Sequence, residues 1–287
     1  MSVLGAAIHR RLHHRLGAPS TLFYVGAGLC LFWIVVAIAA PWIAPYDPIT
    51  QDLRATLEPP NATHLLGTDN FGRDILSRII CGTRLDLQMG VFGVLFPFLI
   101  GTTIGVVSGY VGGFVDVLLM RLLDVTISFP FFVLIIAIVA VLGPGLMSFY
   151  IALALVGWVS YARLVRSRVI VLKHADFVMA ARSLGFSGAR IAFRHILPNT
   201  IGPFIVLATA QLGSAILVEA TLSFLGLGVP EPYPSWGRML SVSAAEYAQK
   251  APWLVLFPGI AISLAVFGSN LLGDALRDTL DPRLRGA

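Results

Sequence analysis

Phe177-Val-Met-Ala-Ala-Arg-Ser-Leu-Gly-Phe-Ser-Gly-Ala-Arg-Ile-Ala-Phe-Arg-His-Ile-Leu-Pro198 is a basic, amphipathic island in a chain that is otherwise mostly apolar. Asp176 is placed to cap a helix over Phe177 to Leu184, whose residues all tolerate helical backbone. Gly185 stands where a helix end favours a left-handed residue. Ser187 is placed to cap a second short helix carrying Arg190, Ile191, Arg194 and Ile196, which Pro198 should stop. The expected product is helix, glycine elbow, helix. Small side chains at Ala180 and Ala181 would let another surface approach closely, and the surrounding arginines favour the cytoplasmic side of a membrane. The stretch reads as a docking element.

Around it, the 287 residues are 57% apolar and 12% charged, with a mean hydropathy of +0.84. That is the composition of a polytopic membrane protein. The net charge of +5 gathers in particular loops rather than along one soluble face, so it gives no nucleic-acid signal. Loop 163–198 is the extreme case: Arg163, Arg166, Arg168, Lys173, Arg182, Arg190 and Arg194 are opposed by Asp176 alone. Such a loop stays in the cytoplasm.

Charge-free runs supply the spans. Leu16 to Tyr46 holds one of about 20 residues, preceded by a basic segment, residues 1–20, whose histidines lack the acids or cysteines of a metal site. Leu87 to Val115 is the second, with Gly101, Gly105 and Gly109 on one face suited to close helix packing. Asp116 to Asp124 reads as a helix running into the membrane edge. Val125 to Ala162 divides at Gly143-Pro-Gly145 into spans three and four. Thr200 to Leu222, carrying Gln211 and Glu219, is the fifth, and Leu254 to Gly273 the sixth. The proline-rich segment 44–86 has six acids against four arginines and belongs outside, with a short surface helix over Asp74 to Arg84. Glu219, as an ionisable group in an apolar span, is either a polar contact on a pathway or interface or a hydrated residue at the outer boundary.

The expectation is an all-α membrane protein of six transmembrane helices, with a cytoplasmic helix-turn-helix loop between spans four and five. Both termini then lie in the cytoplasm, which places 14 of the 20 Lys and Arg residues inside. Cys30 and Cys81 have no disulfide or metal-ligand spacing. Neither of the two lysines, Lys173 and Lys250, sits in a phosphate-cradling loop, and no HExxH or GxSxG occurs. A membrane protein without an energy source of its own but with a docking element draws its power from a partner.

Residues 179–198, with Met179-Ala180-Ala181, Gly185 and Ile196-Leu197-Pro198, resemble the cytoplasmic EAA loop of ABC-importer permeases. The other landmarks resemble the dipeptide/oligopeptide/nickel permease family, C-type subunit, over nearly the whole chain. They are Gly67-Thr68-Asp69 with Gly72-Arg73-Asp74, Gly109-Tyr110 with Gly112-Gly113, Met120-Arg121 with Asp124, Ser223-Phe-Leu-Gly-Leu-Gly228, Trp236-Gly237, and Asn270 to Asp278 with Asp281-Pro282. The family usually has Glu where this chain has Met179. With Asp176 as cap, a Glu there would close a capping box.

The resemblance implies one half of a translocation pathway. It divides the chain into a basic cytoplasmic N-terminus (1–20), a first span (21–43), an extracytoplasmic segment (44–86), a permease core (87–275) and a cytoplasmic tail (276–287). The implied partners are a homologous B-type permease, two ATPases that bind the ATP and magnesium, an extracytoplasmic substrate-binding protein and the lipid of a bacterial inner membrane. This chain would bind no cofactor or metal and no nucleic acid. The ATPase contact would fall on Met179, Ala180, Ala181, Leu184, Gly185, Arg190, Ile196, Leu197 and Pro198. Peptides are the expected cargo, with nickel or another small solute as the alternative. A secondary transporter or channel would need more polar relays inside spans than Glu219 supplies.

Overall fold

Asp74 opens the longest described helix by accepting both the Ser77 N–H and the Ser77 hydroxyl at 2.7 Å. The computed structural model describes residues 21–241 and 246–280, so the basic N-terminus and the last residues of the tail lie outside it. The helices are α1 (Thr21–Ile43), α2 (Ile75–Val111), α3 (Gly113–Ile127), α4 (Phe131–Leu142), α5 (Leu146–Leu172), α6 (Asp176–Ser183), α7 (Gly188–Arg190), α8 (Ile201–Phe224), α9 (Trp236–Met239) and α10 (Trp253–Leu280). Between α7 and α8 the winding changes, first to a π turn over Ile191–Ile196 and then to a 3-10 turn over Leu197–Thr200.

Five of these helices, α1, α2, α5, α8 and α10, are long and apolar enough to cross a membrane. A sixth crossing exists only if α3 and α4 count as one span, and they are bent by 88°. The third span expected in the run from Val125 to Leu142 is therefore not one continuous helix but the second arm of this bent pair. Pro130 lacks an N–H and disfavours helical backbone at Phe129, while Ser128 turns its hydroxyl onto the Asp124 carbonyl at 2.8 Å. Alone, α4 has 12 residues, or about 18 Å at 1.5 Å per residue, against an apolar core of about 30 Å.

The short surface helix expected over Asp74 to Arg84 is instead the start of the 37-residue α2. Ile75, Ser77, Arg78, Ile79, Gly82 and Thr83 are buried there. The extended segment 44–73 folds over them: Tyr46 N–H donates to Ser77 Oγ at 3.0 Å and Arg78 Nη1 to the Pro48 carbonyl at 2.8 Å. Thr68, Asp69 and Arg73 at the end of that segment are buried, whereas Asp47, Asp52 and Arg54 stay exposed, so a count of charges alone misjudges the part next to the helix.

Helix α2 lies along α5 over most of its length, and α10 lies against α1 and α8. The α2–α5 contact is backbone on backbone. A Cβ at Gly105 would sit 2.6 Å from the Ala162 carbonyl oxygen, one at Gly109 2.9 Å from Val169 Cβ, and one at Gly101 would overlap the Trp158 carbonyl. The three glycines thus make the smooth face expected of them, and it is spent within this chain. A second core joins Trp33, Trp236 and Ile262, and a third joins Val106, Val165, Val178, Ile191 and Phe204. Large apolar side chains that remain exposed, such as Trp42, Phe114 and Val141, line the outer surfaces of α1, α3 and α4. Both cysteines are free.

Candidate functional site

At the basic end of the bundle, Gly185 ends α6 with φ +78°. Gly185 N–H donates to the Arg182 carbonyl at 2.9 Å and Phe186 N–H to the Ala181 carbonyl at 3.2 Å, the paired bonds of a Schellman cap. Ser187 then caps α7, accepting the Arg190 N–H at 3.4 Å. The helix, elbow and second cap form as the sequence indicates. The first cap does not. Ala175 occupies the cap position with no side-chain bond, and Asp176 is the first helical residue. Met179 is consequently one position too far along to complete a capping box, and the missing Glu takes no helix cap away. Pro198 does not stop the second helix either. It lies inside the 3-10 turn, and the bond that its missing N–H forgoes is replaced nearby by Asn199 Nδ2 donating to the His195 carbonyl at 2.6 Å.

The element has two faces. Val178, Ala181, Ile191, Ala192 and Ile196 are buried against α2 and α5. Met179, Ala180, Leu184, Gly185, Arg190 and Pro198 are exposed, with Leu184 72% accessible, and Leu197 is half-buried. Of the two alanines expected to admit another surface, Ala180 faces outward and Ala181 packs inward, as does Ile196. Arg190 stacks over the Phe186 ring at 4.3 Å, which holds its charge on the outer face. Nearby, Arg166 grips Asp116 through two bonds of 2.6 and 2.7 Å, and Lys173 Nζ donates to the Gly109 carbonyl at 3.1 Å. These tie the base of the element to the α2–α3 corner.

A cavity of about 730 Å³ opens between α2, α5, α8 and the α3–α4 bend. Its wall is mostly apolar, including Pro97, Phe129 and Phe131, with polar groups at Ser160, Gln211 and Ser214. Gln211 is therefore placed on a space large enough for a small solute. Glu219, two turns further along α8, lies elsewhere. It is fully buried and accepts the Ser223 hydroxyl at 2.5 Å, which rules out a hydrated position at a membrane boundary. Gly101, Gly105 and Gly109 do not reach the cavity.

At the opposite end, the stretch from Gly67 to Asp74 forms a tight turn. Asp69 accepts the Phe71 N–H at 2.8 Å, the Arg73 N–H at 3.0 Å and Arg73 Nε at 2.6 Å. Arg73 Nη1 reaches Glu231 at 2.8 Å, and Arg238 Nε approaches the other Glu231 oxygen at 3.4 Å. Burial raises the Glu231 carboxyl. The hydrogen bond from Arg73, backed by the charges of Arg73, Arg78 and Arg238, overcomes that and holds it below the ordinary carboxylate value. Thr68 hydroxyl donates to the Ala55 carbonyl and accepts the Glu58 N–H at 2.9 Å. Gly67 and Gly72 supply the two positive φ angles of the turn, 79° and 71°. The motif is a clamp joining the segment 44–73 to the loop before α9.

Asp86, Glu231 and Arg238 were not singled out by sequence reasoning. For Asp86 the signal existed: Ile75, Arg78, Ile79, Gly82, Asp86, Met89 and Gly93 recur at helical spacing and continue the buried face of α2. Among the described residues no group of three or more His, Cys, Asp or Glu is arranged to hold a metal.

Residues 101–286 match the family model described as the binding-protein-dependent transport system inner membrane component, and residues 20–60 match the N-terminal transmembrane domain of oligopeptide transport permease C. The chain is 47% identical over 264 residues to the dipeptide transport system permease protein DppC of Alkalihalophilus pseudofirmus, covering 92% of this chain and 86% of that one. It is 43% identical to the di/tripeptide transport system permease protein DppC of Pseudomonas aeruginosa, covering 96% and 90%. It is 46% identical to the glutathione transport system permease protein GsiD of Escherichia coli, covering 88% and 84%. The chain belongs to the family of binding-protein-dependent transport system inner membrane components, as a non-enzymatic, multi-pass permease subunit of an ATP-driven importer.

Proposed function

We propose that this permease carries short peptides inward and that its half of the pathway begins at the cavity beside the α3–α4 bend. The observation that carries the reading is a polar strip, Ser160, Gln211 and Ser214, inside an apolar hollow on the flank of the bundle. A homologous B-type permease closes the hollow from the other side. A peptide's backbone amides need donors and acceptors of this kind, and its varied side chains tolerate apolar walls. The printed names of the relatives, dipeptide, di/tripeptide and glutathione, agree in cargo class. Nickel ions fit less well, since no set of carboxylate, thiolate or imidazole ligands lines the hollow.

Power enters at the exposed face of α6 and α7. Two ATPases bind ATP and magnesium, and one of them seats Met179, Ala180 and Leu184, while Arg190 and Pro198 rim the contact. A binding protein delivers cargo at the opposite end, beside the Arg73–Glu231–Arg238 clamp. The loop 163–198 and both termini are cytoplasmic, and the segment 44–74 is extracytoplasmic. Impermeant thiol reagents should then label a cysteine at position 61 in intact cells and leave one at 187 unlabelled.

The test is recovery of ATPases with the affinity-tagged permease, together with uptake of labelled dipeptides and of labelled nickel. Met179→Asp and Leu184→Asp should leave membrane insertion intact and weaken ATPase recovery about tenfold, the effect of an interface residue worth more than about 1 kcal/mol. Dipeptide uptake should fall with it. Normal recovery and uptake in both variants would remove this face as the power input. Nickel uptake without peptide uptake in the unmodified protein would overturn the cargo.

A further inference from the structure

Asp86 on α2 and Glu219 on α8 are both fully enclosed. The Trp236 backbone N–H donates to Asp86 Oδ2 at 3.0 Å. Ser223 Oγ donates to Glu219 Oε1 at 2.5 Å, and the Ser235 hydroxyl lies 3.5 Å from Ser223 Oγ. The remaining oxygens, Asp86 Oδ1 and Glu219 Oε2, are buried and receive no donor. The two carboxyls belong to one buried network: Trp236, which binds Asp86, follows Ser235, whose Oγ lies beside the Ser223 Oγ that binds Glu219. Carboxylate oxygens only accept, so two orphaned ones enclosed in the same network require a proton or a cation to satisfy them.

Among the described residues no cationic side chain provides it. On α2, Arg78 is directed to Pro48 and Asp69, and Arg84 is exposed. On α9, Arg238 is held by Glu231. Helix α8 has no Lys, Arg or His, nor has α1, and α10 carries no charged residue before Asp274. Lys250, ahead of α10, is exposed. Two bare carboxylates enclosed here would combine like-charge repulsion with full desolvation. One proton relieves both. The surviving negative charge is shared by the Trp236 N–H and the serine hydroxyls, and a second proton would have to displace one of those donors.

The same place anchors the segment 225–239. Trp236, whose backbone meets Asp86, also donates its indole N–H to the Ile79 carbonyl at 3.1 Å and packs its ring 4.9 Å from that of Trp33. Ser223 accepts the Val229 N–H at 3.4 Å. Gly237 lies so close to Ala220 that a Cβ there would overlap its backbone. We infer that Asp86 and Glu219 hold one proton between them in a carboxyl–carboxyl hydrogen bond, and that this bond latches the segment 225–239 onto the bundle, so that withdrawing the proton frees the segment.

The test uses the full-length chain in lipid nanodiscs with its co-purifying subunits. Infrared difference spectra on raising the pH should reveal loss of a protonated-carboxyl C=O band. Hydrogen exchange in 225–239 should rise over the same interval relative to 246–252, which experiences the same intrinsic alkaline acceleration. Asp86→Asn and Glu219→Gln each replace the shared proton by an amide hydrogen that alkali does not remove. Each should lack the band yet keep 225–239 protected at the pH that loosens the unmodified protein. Absence of the band in the unmodified protein would overturn the proposal without reference to any variant. Survival of the band in both variants would mean two protons, and equal alkaline loosening in variants and unmodified protein would mean that the latch is not this pair.

Discussion

Gly185 has no heavy atom near the position its Cβ would take, so substitution there meets strain and no clash. At φ +78° a β-branched residue should cost about 1–2 kcal/mol. Gly185→Val is expected to reduce ATPase recovery and uptake, whereas Gly185→Asn, which tolerates the left-handed region, should retain most of both. Glu231 gives a prediction of opposite character. Its carboxyl titrates below the ordinary glutamate value, so its contribution to the clamp with Arg73 and Arg238 is complete above that ordinary value and is lost as the pH falls through the lowered one. Hydrogen exchange of 225–239 should rise on acidification below about pH 4.5, and Glu231→Gln should already show that level at neutral pH. An acid response unchanged in the variant would remove Glu231 as its source. Residues of this kind were unevenly legible. Gly185 and Ser187 act through their own backbone and sit where local rules place them. Glu231 matters because Arg73 lies 158 positions away in sequence, and no local pattern carries that information.

Among the elements, α2 depends most on what it lacks. A side chain at Gly105 would strike the Ala162 carbonyl and Val165, both part of α5 and unable to move independently. Gly105→Val should therefore prise the two helices apart and cut the yield of assembled protein severalfold in detergent extraction, while Gly28→Val, where nothing lies near, should be neutral. Full yield from Gly105→Val would mean that the pairing has slack. The glycine spacing was readable because a period of four on a helix is a face. The bend at 128–130 was less so, since Pro130, the one proline between Val125 and Leu142, competes with a composition that favours an unbroken helix. The winding of 188–200 was not readable. It takes an under-wound π turn followed by an over-wound 3-10 turn, compensating shifts that leave α8 able to meet α2 and α10.

For the whole molecule, the sequence disclosed the apolar runs long enough to cross a membrane, because those follow from length and composition. It did not disclose which polar residues are enclosed, because segment 44–73 and the loop before α9 fold back over the bundle and hide Arg73, Arg78 and Asp86. The hollow beside the α3–α4 bend has a consequence for the life of the protein in the cell. A copy synthesised without its partner would turn Ser160, Gln211 and Ser214 toward hydrocarbon, where nothing satisfies them. On the pairing proposed above, polar groups stranded in lipid would mark an unpaired copy for proteolysis, and the hollow would serve as a stoichiometry check. The chain expressed alone should have a shorter half-life in a pulse-chase than the chain co-expressed with the second permease. Gln211→Leu should lengthen the half-life of the solitary copy and leave that of the paired copy unchanged. Surplus synthesis would then be cleared by the same surface that, once paired, becomes the route for cargo.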